Sequence, residues 1–226
     1  VVSVSSVLGI NGTFNATDFE NHTYARVRID DSGTFLATNQ TTWITGDLNN
    51  SGTFTHSSGV LNMTGTGTLS GLNSSSAVNY LIIDTSAHIT SSELDVVYGP
   101  DVYGILNASA GTYNMTFELL NITSTGTYHA TPGTTTITSV GANNYSLIKT
   151  GTLLPNNGTI KLNASDVLNL SSSLSGELYS LELDNGDIVN LESNFNVVGD
   201  LIVKSGTTLE LTDDNDYNLT VQETFI

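Results

Sequence analysis

Short apolar-x-apolar units bounded by Gly, Asn or Asp recur along the whole chain, and no helical period accompanies them. Gly, Asn, Thr and Ser interrupt every stretch long enough to hold a helix. This pattern predicts many short strands and an all-β fold. Near the C-terminus the alternating pairs are Leu181/Leu183, Val189/Leu191, Phe195/Val197, Leu201/Val203, Leu209/Leu211 and Leu219/Val221. Leu181 to Leu201 and Val189 to Leu209 are both steps of 20 residues. Ser32-Gly33-Thr34-Phe35 recurs as Ser51-Gly52-Thr53-Phe54 after 19, and Gly111-Thr112-Tyr113 as Gly126-Thr127-Tyr128 after 15. Such periods, with two or three strands in each, fit the coils of a parallel β-solenoid. Inward residues would stack into a narrow core, with Gly, Asn and Asp at the corners. Coils of ~20 residues would number on the order of ten, giving a rod roughly 50 Å long at ~4.8 Å per coil. The alternative is tandem β-sandwiches with strands every ~8–12 residues, which need no such repeat.

Two stretches depart from the pattern. Residues 78–106 carry Tyr80, Tyr98, Tyr103 and the Gly99-Pro100 turn, and read as an insertion or junction. Residues 171–217 hold ten of the 22 acids and no Asn-x-Ser/Thr triplet, so they read as a bare contact surface. The division expected is a triplet-rich region over 1–170 and an acidic region over 171–226, continuous with the first.

Polarity here is mostly uncharged. Charged residues are 12% of the 226 and apolar residues 38%. Ser, Thr and Asn take the place of charge as surface chemistry, while recurrent Val, Ile and Leu argue against disorder. The net charge is −17, with only Arg26, Arg28, Lys149, Lys161 and Lys204 as bases. Without a basic patch, nucleic acid is a poor partner. No stretch is long and apolar enough to predict membrane insertion. There is no Cys, so stability must come from core and ladder length. The start at Val1-Val2 suggests a removed leader or a fragment.

Fifteen Asn-x-Ser/Thr triplets change the picture most. They begin at Asn11, Asn15, Asn21, Asn39, Asn49, Asn62, Asn73, Asn107, Asn114, Asn121, Asn144, Asn157, Asn163, Asn169 and Asn218, none with Pro in the middle. From 24 Asn and 59 Ser plus Thr, about six would arise by chance. The excess predicts N-glycan acceptors on the surface of an extracellular or cell-surface protein. The competing explanation is that turns and strand faces select the same residues.

Runs such as Gly46-Asp47-Leu48-Asn49-Asn50-Ser51-Gly52-Thr53-Phe54 and Gly199-Asp200-Leu201-Ile202-Val203-Lys204-Ser205-Gly206-Thr207 carry a resemblance. The chain, outside 78–106, resembles the β-solenoid repeat regions of archaeal and bacterial cell-surface, sheath and extracellular filament proteins. The resemblance implies a structural role and assembly by stacking. It carries over no catalytic residue.

Candidate chemistry is sparse. His22, His56, His88 and His129 share no metal-ligand spacing. Hard oxygen ligands concentrate at Thr212-Asp213-Asp214-Asn215-Asp216, which makes Asp213, Asp214 and Asp216 candidate calcium ligands; Asp184-Asn185-Gly186-Asp187 is a second such turn. Neither completes an EF-hand, and an Asx-rich corner explains both equally. A glycosidase needs two neighbouring carboxylates. Glu182 and Asp187 meet no acid one 20-residue step away, so the sequence reads as non-enzymatic with no required cofactor. Phe35, Phe54, Tyr113 and Tyr128, each after a Gly-Thr unit, read as a stack, and Trp43 as core or interface.

The expectation is a structural subunit of an N-glycosylated filament, sheath or surface layer, polymerising with its own copies through strand edges. Residues 1–8 and the closing Val221-Gln222-Glu223-Thr224-Phe225-Ile226 are strand-like and lack a helical cap, which suits pairing with another chain or flanking coils. The alternative function is an adhesin stalk or viral tail-spike segment contacting cell-surface carbohydrate.

Overall fold

Parallel pairing joins every strand of the computed structural model, which describes residues 2–17, 21–141, 144–175, 177–191, 194–211 and 217–226. About ten coils stack into a β-solenoid. Because all the ladders are parallel, the structure excludes the antiparallel sandwich alternative.

One ladder starts in the first half of Val2–Ile10 and climbs through His22–Ile29, Thr41–Ile44, Val60–Met63, Val78–Ile83, Leu94–Val102, Leu120–Ile122 and Leu147–Lys149. A second uses the later half of each coil's entry strand or the next short strand: Leu48–Asn50, Thr66–Ser70, His88–Ser91, Ile105–Asn107, Thr127–His129 and Thr152–Leu154. The third strand of the coil is Thr13–Asn15, Thr34–Leu36 and Thr53–Thr55 early on. That short ladder is separate; from the first half of Leu94–Val102 the first ladder also branches through Met115–Phe117, Thr134–Ile137, Thr159–Leu162, Ser180–Leu183 and Leu201–Val203.

The register explains the sequence period. Phe35 pairs with Phe54, Leu181 with Leu201 and Val189 with Leu209. The 15-residue echo has no such meaning. Tyr128 stacks on Leu106 and Leu153, whereas Tyr113 lies 47% exposed in a loop. Residues 78–106 supply strands to the same ladders as their neighbours, with a register slip between Tyr80 and Ile82 opposite the Gly99-Pro100 segment. The ladder also crosses residue 170 without a break, from Thr159–Leu162 to Ser180–Leu183.

Inward positions make one continuous apolar core. Phe14, Phe35 and Phe54 stack with ring centroids 5.5 and 5.7 Å apart, and Tyr24 meets Phe35 edge-on at 6.1 Å. These stacks combine apolar burial with favourable aromatic geometry. Corners require Gly where backbones cross closely. A Cβ at Gly52 would run into the carbonyl oxygens of Gly33 and Asp30, and one at Gly33 into that of Ile10.

Candidate functional site

None of the fifteen acceptor asparagines is buried. Asn11, Asn15, Asn39, Asn49, Asn114, Asn144, Asn157, Asn163 and Asn218 are exposed, and Asn21, Asn62, Asn73, Asn107, Asn121 and Asn169 are half-buried. Asn79 and Asn185, which begin no triplet, are buried.

Turn geometry accounts for five of the fifteen, and Asn21 and Asn114 serve the backbone as well, each Oδ1 accepting an N–H from the next coil, that of Thr41 at 3.3 Å and of Thr134 at 3.2 Å. Asn15, Asn73 and Asn107 close Asx turns: each Oδ1 accepts the N–H and the hydroxyl of the residue two places on, Thr17, Ser75 and Ser109, at 2.7–3.2 Å. Asn144 and Asn157 adopt positive φ, 62° and 59°, which Asn tolerates better than other side chains. In the Asx turns the carbonyl oxygen does the structural work, and Nδ2 takes no part in the turn's hydrogen bonds.

Other acceptors stand on outward strand positions because the flanking residues point inward. Asn62 lies between buried Leu61 and Met63, and Asn121 between Leu120 and Ile122. Asn121 Nδ2 donates to Asp101 Oδ1 at 3.0 Å, and Tyr80 OH donates to Asp101 Oδ2 at 2.6 Å. An N-glycosyl amide retains one N–H, so this contact is compatible with a glycan. Burial first, then Asp101, raises the Tyr80 pKa well above the ordinary phenol value.

All five bases are paired with acids: Arg26 with Asp47, Arg28 with Asp30, Lys149 with Glu177, Lys204 with Glu182, and Lys161 with both Glu182 and Asp184. Lys161 Nζ reaches Asp184 Oδ2 at 2.6 Å and Glu182 Oε1 at 3.0 Å. Those bonds, Asp184 first, hold its pKa above the ordinary lysine value. The cluster arises from register, since Lys161 pairs directly with Glu182 one coil on. A search at 20-residue steps misses it, because this step is 21.

Asp213, Asp214 and Asp216 lie outside the described residues. The second turn is described, and its acids have local partners: Lys161 holds Asp184, and Asp187 Oδ1 accepts the N–H of Ile188 at 2.8 Å. Asn185 is buried, its Nδ2 donating to the carbonyls of Asp166 and Ile188. Among the described residues no three His, Asp or Glu side chains gather as a metal site would require.

One acidic pair is not related by any 20-residue step in the sequence. Asp95 and Glu118 line an open cleft of about 480 Å³ with Thr116, Thr138 and Ser139. Burial raises both carboxyl pKa values; Glu93 adds to the rise at Asp95, and hydrogen bonds from Thr116 oppose it. The pair spans one coil plus two residues, which places both side chains outward on neighbouring rungs.

No protein-family model, curated protein or solved structure matches the chain.

Proposed function

We propose that this chain is a structural segment of an extracellular, N-glycosylated assembly, a filament, sheath or surface layer, whose subunits join through parallel strand pairing. The observation that carries the reading is the set of fifteen acceptor triplets, none with a buried Asn. With 12% charged residues, the surface is hydrated mainly through Ser, Thr and Asn, and sugar adds to that hydration. The ladders supply stiffness, because every coil is hydrogen-bonded to the next. The five bases are occupied by acids, which leaves no cationic cluster for nucleic acid or anionic lipid. Glycans are the only added groups the reading needs.

The joining edge is that of Val2–Ile10. This strand pairs with His22–Ile29 on one side. Its other side offers N–H and C=O groups to a further parallel strand, from a preceding coil or from a neighbouring subunit. The sequon-free residues 171–217 supply the lateral contact, since bulky sugar there would hold a neighbour off.

A point change tests the edge better than removing residues 1–8, because Val4 and Leu8 pack on the core. Ser6 lies in a bulge outside the register with His22–Ile29. A proline there costs the fold little and disrupts the edge. Electron microscopy of Ser6→Pro material should show assembly lost, with the wild-type circular dichroism retained. Wild-type assembly by the variant would refute joining at this edge.

A further inference from the structure

Asn62 occupies an unusual position for an acceptor, between apolar outward residues on the two adjacent coils. Its register neighbour on the coil before is Trp43, and on the coil after, Ile82. Val60 is the next outward residue on its own strand, and Tyr80 pairs with Val60, diagonal to Asn62. Thr42, Ile44, Leu61, Met63, Leu81 and Ile83 are buried, so the alternation of the strands turns Trp43, Asn62, Tyr80 and Ile82 outward together. Neighbours on adjacent rungs lie ~4.8 Å apart, and diagonal ones remain within reach of aromatic side chains. The face continues to Tyr98, which pairs with Tyr80 and is 50% exposed.

Asn62 Oδ1 is shielded from solvent and has no hydrogen-bond partner. This is a costly arrangement for a plain surface amide, which would ordinarily turn its oxygen to water. It becomes reasonable if Nδ2 is the end that must face out.

We propose that the glycan on Asn62 covers this face, its first pyranose laying an apolar C–H side against the indole of Trp43. The inference rests on the glycan-bearing reading above and gives one of its sugars a packing role. A pyranose fits on chemical grounds. It has C–H faces that lose water favourably against an aromatic ring, and a rim of hydroxyls that keeps the outer side wet. The covalent anchor lies inside the patch, so the sugar is held at the face without an association cost.

Trp43 is the only Trp of the chain, which makes its fluorescence a site-specific reporter. The experiment compares native glycosylated protein with Thr64→Val and Asn62→Gln, both of which abolish this acceptor and keep Trp43. Thr220→Val, which abolishes the Asn218 acceptor elsewhere, is the control. Glycopeptide mapping scores occupancy, and acrylamide quenching scores Trp43. Uncovering one face of the indole should raise the quenching constant about twofold in both Asn62-site variants and leave the control unchanged. An occupied Asn62 whose loss does not alter quenching would overturn the inference. So would an unoccupied Asn62 on a chain glycosylated elsewhere, which leaves the glycan-coat reading standing. Trp43 shielding that survives in the variants and falls on dilution would overturn it in favour of a second copy as the cover. Absence of sugar from every acceptor would bring down both readings.

Discussion

Single residues act here mainly through the column they occupy. Gly52 fits because its neighbours one coil below are carbonyl oxygens, those of Gly33 and Asp30. Gly52→Ala should therefore cost about 2–3 kcal/mol, since the backbone of two coils must part to admit a methyl group. Thermal unfolding would read this as a Tm lowered by roughly 4–12 °C. Lys161 illustrates the electrostatic equivalent. Its removal leaves Glu182, 17% exposed, beside Asp184 with, among the described residues, Lys204 at 3.9 Å to compensate. Lys161→Met should lower stability by about 1–2 kcal/mol, with the charge-assisted bonds discounted for their partial exposure to solvent. Because the folded pKa of Lys161 lies above its unfolded value, this contribution is complete at neutral pH. It is lost only as pH rises through the folded value, so denaturant midpoints of wild type and variant should converge in strong alkali.

At the scale of strands and coils, much was legible in the sequence. The apolar-x-apolar pairs become inward positions, and steps of 19 and 20 become registers, because a parallel ladder forces equivalent residues to repeat once per coil. The 15-residue echo around Tyr113 and Tyr128 misled because Gly-Thr-aromatic suits both a coil corner and an ordinary loop. Variable coil length hid the rest. Leu120 pairs with Leu147, 27 residues on, whereas His88 pairs with Ile105, 17 on, so no fixed step finds every neighbour. Asp95 and Glu118 were invisible for the same reason, being offset both by a coil and along the strand. Their raised pKa values have a consequence for stability. A carboxyl with a folded pKa above its unfolded one contributes stability at low pH that is lost as pH rises through the folded value. Lowering the pH from neutral through the folded values of these two carboxyls should therefore raise the Tm, helped by relief of repulsion at net charge −17. In Asp95→Asn/Glu118→Gln the rise should be smaller. An equal rise would assign the effect to overall charge alone.

For the whole molecule, the coils make one stacked core, and in the proposed reading the acceptor asparagines decide what surrounds it. Asn107 sits on a strand of the second ladder, Asn114 at the entry to Met115–Phe117, and Asn121 on the first ladder, so a run of 15 residues carries acceptors around the coil. Turn chemistry explains Asn15, Asn73, Asn107, Asn144 and Asn157, but no comparable backbone demand places Asn62 or Asn121 on outward strand positions. On the proposed reading, a surface selected for sugar accounts for both kinds. The most direct test is site-resolved glycopeptide mass mapping of the chain isolated from its natural source. Hexose- or hexosamine-bearing peptides are expected at most of the fifteen asparagines, Asn62 among them. Unmodified asparagine at most of these positions would contradict the glycan-coat reading.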